Sequence, residues 1–195
     1  MKTLLRGGTV ISAQGEKRAD VLLEGEQISA VSENLSAADA QIVDCTGKLL
    51  FPGFIDGHTH FDLEVCGTIT ADDFATGSRA ALRGGTTMVV DFAAPDKGET
   101  LSSGLRRWQV KSEGKTACDY SFHMTIDDWN EGISQELGEM MDRGITSFKM
   151  YMTYPAMMIP EGDMYHALLR LRALGGIAGV HCENDGVIRA LVEEA

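Results

Sequence analysis

The sequence predicts an α/β protein: about the first five βα units of a TIM-like (β/α)8 barrel, preceded by a smaller part built of short strands. Three observations point there. From Phe54 onward, runs of apolar, β-branched and aromatic residues alternate with helix-like segments. The polar residues that close those runs, His58, Asp91, His123, Lys149 and His181, are spaced by 33, 32, 26 and 32 residues, the size of one βα unit. Successive βα units build either an open doubly wound sheet or a closed barrel. A polar residue recurring at the carboxyl end of each strand favours the barrel, where groups from several strand ends meet over one face.

Residues 1–50 read as short strands over Leu4 to Ser12, Ala19 to Glu24, Gln27 to Val31 and Ala40 to Cys45, broken by Gly7-Gly8, Gly15, Gly25-Glu26 and Thr46-Gly47. Such close spacing suggests a small antiparallel sheet or sandwich. The second region, 51–195, predicts strands over Phe54 to His60, Thr86 to Ala93, Asp119 to Ile126, Thr146 to Met152 and Gly176 to Cys182. Between them lie helical segments at Ala71 to Arg83, Leu101 to Glu113, Gly132 to Arg143 and Gly162 to Leu174, with another beginning near Asp185. Glycines at 84–85, 114, 144 and 175–176 stop the helices, while acids and hydroxyls such as Thr70 to Asp73 and Thr125 to Asp128 suit their starts. A barrel of this type takes ~250 residues. The region after the opening strands is too short to close one, so the expectation is the N-terminal part of a larger protein or a truncated product; a complete five-stranded α/β domain is the alternative.

Composition narrows the partners. The 195 residues are 44% hydrophobic and 24% charged, enough for an ordinary core. A formal charge of −12 argues against nucleic acid and anionic membrane surfaces, which favour basic patches. Small molecules and other proteins remain. Cys45, Cys66, Cys118 and Cys182 have no C-x-x-C spacing and read as reduced, mostly buried thiols. With no signal-peptide core after Met1 and no apolar run long enough to span a bilayer, a cytoplasmic location is expected.

The chemistry gathers around His58-Thr59-His60. Residues two apart in a strand point the same way, so two imidazoles can converge on one ion, whereas a helix would hold them about 200° apart. The run before the pair is β-compatible, with Pro52-Gly53 at its entry. His181 ends the fifth strand-like run; a lone terminal histidine is more often structural, but in register with His58 and His60 it reads as a ligand. Lys149 lies inside the apolar strand Ile145 to Met152. An ammonium group in a barrel interior is costly unless paired or neutralised. Either its stem snorkels to the strand end, or a nearby dication and desolvation make a neutral amine open to covalent modification. A lysine carrying carbon dioxide as a carbamate would be an anionic ligand able to bridge two metals, an inference from charge balance.

Pro52 to His60, Ser147 to Tyr154 and Val180 to Asn184 together resemble the cyclic amidohydrolases, closest to dihydropyrimidinase and hydantoinase. The resemblance runs through the whole chain in order. It implies a small N-terminal β-sandwich, a metal-dependent barrel and two zinc ions: His58 and His60 on the first, carboxylated Lys149 bridging both, His181 on the second. It further implies that Tyr154, five residues after the lysine, donates a hydrogen bond to the substrate carbonyl, which suits a developing oxyanion. Tyr151 and Met158 match positions lining the pocket for the ring substituent, Met158 standing where bacterial hydantoinases often carry an aromatic. The implied reaction, part of pyrimidine catabolism in this family, opens a dihydropyrimidine or hydantoin ring to an N-carbamoyl amino acid, and family members are commonly homotetramers.

The same resemblance calls for a further histidine on the second metal and an aspartate on the first, both from later strands, so these residues alone are expected to lack a complete site and to be inactive. Dihydroorotase usually carries an arginine two residues after His-x-His to hold a carboxylate; Asp62 stands there, after Phe61, which disfavours an acidic substrate. An allantoinase, or a non-catalytic scaffold that keeps the same fold, would also suit these motifs. Trp108 and Trp129 read as packing residues, and Asp72-Asp73, Asp127-Asp128 and Glu193-Glu194 as solvated helix ends. Asp91 reads as a structural hydrogen-bond acceptor or a residue facing the metal centre. Gly84-Gly85 has no phosphate-loop pattern, so no nucleotide site is assigned.

Overall fold

The computed structural model describes residues 1–65 and 67–195; the expectation of a buried thiol at Cys66 therefore lies outside the described residues. The chain divides into two compact units, Met1–Phe54 and Ile55–Ala195.

In the first unit β1 (Lys2–Ser12), β2 (Gly15–Glu24) and β3 (Gln27–Ser32) form an antiparallel meander. Gly25, at φ +63°, opens the two-residue turn into β3, a conformation that favours glycine. The next strands, β4 (Gln41–Asp44) and β5 (Leu49–Leu50), both run parallel to β1 along its other edge. This corrects the antiparallel expectation: the sheet is mixed. The reason is topological, because β3 points the same way as β1 and residues 33–40 carry the chain across to the far edge without reversing it. Among the described residues this unit holds one five-stranded sheet, with no second layer of a sandwich. Asp20, buried, accepts from the Gly7 and Leu35 amides (2.7 and 3.0 Å), tying the irregular middle of β1 to the crossover.

The second unit carries β6 (Phe54–Thr59), β7 (Glu64–Val65), β8 (Thr68–Ile69), α1 (Phe74–Arg83), β9 (Thr86–Ala93), α2 (Leu101–Ser112), β10 (Asp119–Thr125), α3 (Glu131–Asp142), β11 (Ser147–Tyr151), α4 (Glu161–Leu174), β12 (Ile177–His181) and α5 (Asp185–Glu194). The main sheet runs β6-β9-β10-β11-β12, in strict sequence order, and the pairs β9–β10, β10–β11 and β11–β12 are parallel. A doubly wound sheet reverses its order at a switch point. This sheet does not, so it is wound as one side of a barrel, a half-barrel with helices on one face.

Local signals account for the helix ends. Asp73 caps α1 in a reciprocal box with Thr76, its carboxylate accepting from the Thr76 amide (2.7 Å) while Thr76 Oγ1 accepts from the Asp73 amide (3.1 Å). Thus α1 starts at Phe74 rather than Ala71, and the preceding residues form the small β7–β8 hairpin, which no periodic pattern announces in strands of two residues. Thr100, Asn130 and Asn184 cap α2, α3 and α5.

Alternation sorts the side chains. Phe122 and Met124 of β10 and Phe148 and Met150 of β11 pack on Leu101, Leu105 and Trp108 of α2, Leu137 and Met140 of α3 and Leu171 of α4. Each such buried side chain contributes roughly 1.5–3 kcal/mol. The intervening residues Phe92, His123, Lys149 and Tyr151 occupy the opposite face, which is the barrel interior. In contrast α5 buries no residue. Two further expectations are corrected. Of the described cysteines only Cys45 is buried; Cys118 is partly exposed before β10 and Cys182 exposed just past β12, because both lie at strand ends. Asp127 is not a solvated helix end: it is 6% exposed, covered where the chain leaves β10. Among the described residues no helix is long and apolar enough to cross a membrane.

Candidate metal centre

The alternation of β6 sends His58 and His60 to the interior and Thr59 to the helix side, where it is buried. The two imidazoles stand edge to face with ring centres 5.1 Å apart. Phe92 of β9 packs against both, at 4.6 and 4.9 Å, and against His123 of β10 at 4.8 Å. Burial holds the His60 imidazole below its ordinary pKa, with the charges of His58 and Lys149 lowering it further and Asp91 opposing. A neutral imidazole keeps a lone pair for a cation at neutral pH.

Lys149 points into the same interior. Its Nζ lies 5.8 Å from the Phe92 ring centre and 5.0 Å from that of Tyr151, within cation–π range. Among the described residues no carboxylate pairs with it, so its charge is met by ring faces alone. One strand further, the His181 ring stacks on Tyr151 at 5.8 Å and leans on Tyr154 at 5.2 Å. Its Nε2 is 2.6 Å from Glu183 Oε2. Phe92 and Tyr151 therefore form an aromatic floor that runs from the His58–His60 pair past Lys149 to His181.

Tyr154 follows β11 with φ +65°, a left-handed conformation unusual for a bulky side chain. Its carbonyl accepts from the amides of Met157 and Met158 at 2.7 and 2.8 Å, so the chain folds back and leaves the Tyr154 ring about half exposed at the mouth. Tyr151 is buried and its phenol is pushed above the ordinary range, first by burial and then by Tyr154. Met158 is half-buried, and its carbonyl accepts from Lys97 Nζ at 3.0 Å.

Sequence reasoning missed two supports. His123 donates from Nε2 to the Gly57 carbonyl (2.9 Å) and accepts at Nδ1 from the Ser147 hydroxyl (2.6 Å), bracing β6 against β11 beside His58 and Lys149. Its place at a strand end was the available signal. Glu183 is the carboxylate on His181. Of the two readings of Asp91, the structural one holds: its carboxylate does not face the interior but accepts hydrogen bonds on the helix side of the sheet, beneath His60.

Among the described residues no three of His, Cys, Asp and Glu gather around one point. The interior group that does gather is two imidazoles and a lysine. A lysine ammonium repels cations, so this set would fit a divalent ion only with Lys149 made anionic, as a carbamate would make it. One buried side-chain oxygen without a hydrogen-bond partner among the described residues is Thr125 Oγ1, and Thr125 is the register partner of Lys149. An unmatched donor beside the lysine suits an added anionic oxygen.

A sequence profile of the amidohydrolase family matches residues 49–193. The chain belongs to the amidohydrolase family. It is similar to the D-hydantoinase of Streptomyces coelicolor, 42% identical over 200 residues that cover 100% of this chain and 43% of that protein. The dihydropyrimidinase of Dictyostelium discoideum is 40% identical over 188 residues, 95% of this chain and 37% of the relative. Among solved structures, the dihydropyrimidinase from Brevibacillus agri NCHU1002 superposes with a TM-score of 0.97 at 42% identity, covering all of this chain and 43% of that one. The resemblance to hydantoinases and dihydropyrimidinases therefore holds, and this amidohydrolase chain spans 37–43% of the length of the three relatives just named.

Proposed function

We propose that these residues supply part of the active site of a metal-dependent hydrolase that opens a cyclic amide, a dihydropyrimidine or hydantoin, to an N-carbamoyl amino acid. The observation that carries this reading is the convergence of His58, His60, Lys149 and, along the same floor, His181 on the interior face of one half-barrel. In it, His58 and His60 would hold one zinc ion and His181 a second, with Lys149, as a carbamate, the anionic ligand available to both. Glu183 supports the role of His181: a proton on Nε2 shared with the carboxylate leaves Nδ1 free as a donor, the usual arrangement of a carboxylate behind a ligating histidine. Bound divalent ions supply Lewis acidity at the carbonyl and an activated water at neutral pH.

The chain's own residues do the rest. Tyr154, held at the mouth by its strained turn, donates a hydrogen bond through its phenol to the carbonyl oxygen as charge develops there. Tyr151 and the half-buried Met158 flank the ring substituent. Asp62 stands where dihydroorotases usually carry an arginine, so a carboxylate-bearing ring such as dihydroorotate finds no bidentate partner there. The histidine and aspartate that the family resemblance adds, the homotetramer and the ring-opening activity belong in this reading to the whole-length protein.

Elemental analysis of the 195-residue chain, equilibrated with zinc and bicarbonate and then desalted, tests the reading. Zinc above background that falls in His60→Ala and in Lys149→Ala supports it. Background zinc in the parent chain contradicts it and favours a scaffold that has kept the fold alone. In the whole-length protein, turnover of dihydrouracil or hydantoin that survives chelation would equally contradict it.

A further inference from the structure

Asp91 is 1% exposed and lies in the apolar layer between sheet and helices, a costly place for a carboxylate. Four donors surround it. Oδ2 accepts from the Thr59 hydroxyl (3.0 Å) and the Phe61 amide (2.8 Å); Oδ1 accepts from Trp108 Nε1 (3.0 Å) and the Phe92 amide (2.8 Å). These fill the acceptor positions of an ionised carboxylate.

The partners are not scattered. Thr59 and Phe61 flank His60 in sequence, and Thr59 also separates His60 from His58. The regular strand ends at Thr59 and the chain leaves the sheet at His60, so no ladder partner is given to the Phe61 amide; Asp91 takes the ladder's place. Phe92, whose amide the other oxygen holds, is the ring on which both imidazoles rest. Trp108 ties the same carboxylate to α2. One buried group thus grips, from behind the sheet, the Thr59 side chain before His60, the Phe61 amide after it and the residue that floors the pair.

We infer that Asp91 is a positioning residue for the His58–His60 pair, setting the direction of both imidazoles through Thr59, Phe61 and Phe92 without touching the ion. The inference rests on the metal-binding reading for its consequence, but the placement of the rings is measurable without metal.

The test uses the 195-residue chain and three variants: Asp91→Asn, Thr59→Val, which deletes one flanking donor and serves if Asp91→Asn does not fold, and Trp108→Phe, which removes a donor from the same carboxylate on the helix side. Two readouts are taken at pH 8: histidine ring NMR signals of the metal-free chain, and zinc affinity by competition with a chromophoric chelator. Asp91→Asn and Thr59→Val should shift the His58 and His60 ring signals and weaken zinc about 10- to 100-fold, the range for partners behind a ligand. Trp108→Phe should lower the melting temperature and leave both readouts unchanged. Ring signals unmoved in Asp91→Asn and Thr59→Val overturn the inference, whatever the zinc affinity. If those signals move while the parent chain binds no zinc, the positioning role stands and the metal reading falls.

Discussion

The two ends of the candidate centre are built differently. His58 and His60 rise from a strand end clamped by the buried Asp91, braced through His123 and floored by Phe92, between elements that share one apolar core. His181 ends β12, which like β6 lies at an edge of the sheet, but it is held by stacked tyrosines and by Glu183, a carboxylate 58% exposed; α5 beyond it buries nothing. A buried clamp holds geometry at a high penalty for being broken, and a surface pair holds it weakly. The first end is therefore held by a buried clamp, and the second by partly exposed contacts.

The largest effect should come from the packed side. Met124→Ala, at a fully buried position between β10 and the helices, should destabilise by about 2–5 kcal/mol in urea unfolding. A cost under about 1 kcal/mol would mean that the core behind the histidines is loose and that the two ends do not differ as described.

Next is Asp127, whose carboxyl burial pushes up from the ordinary 3.8 to about 6. The folded chain binds this proton between those two values and the unfolded chain does not, so the stability it lends is full below pH 4 and is lost as pH rises through about 6. Asp127→Asn should raise stability near neutral pH by about 2 kcal/mol and flatten the profile between pH 4 and 6, followed by denaturant melts across that range. An unchanged profile would place the titrating group elsewhere.

Smaller effects belong to the His181 side. Glu183→Gln should alter stability by no more than about 1 kcal/mol, as for other exposed ion pairs, while loosening His181 ring signals in NMR spectra. Leu191→Ser on α5, at a residue 60% exposed, should fall within about 0.5 kcal/mol of the parent chain. A loss comparable to that of Met124→Ala would show that α5 is packed in solution, which would remove the asymmetry.

Much of this layout was legible because it is local. Period-two alternation placed His58 and His60 on one face, and glycine stops set most helix ends within a few residues. The acids of Thr70 to Asp73 mark the start of α1, whereas α3 is capped by Asn130, beyond the Thr125 to Asp128 stretch read as its start. The interior orientation of Lys149 followed from the apolar residues on either side of it. What was not legible depends on register or on distant covering. Asp91 looks the same in sequence whether it faces the ion or the helices, and its partners Thr59, Phe61 and Trp108 become neighbours only once β6 lies beside β9 under α2. The parallel pairing of β4 and β5 with β1 has the same local period as an antiparallel one. Asp127 carries every mark of a solvated helix start, and only the folded chain around it shows that it is buried.

Zinc-edge anomalous diffraction from crystals of this chain grown with zinc and bicarbonate tests the central claim most directly. The account predicts a peak about 2.0–2.1 Å from one ring nitrogen of each of His58 and His60, with added density on Lys149 Nζ reaching the same ion. A Lys149 left unmodified, with no zinc peak between those two imidazoles, would contradict it.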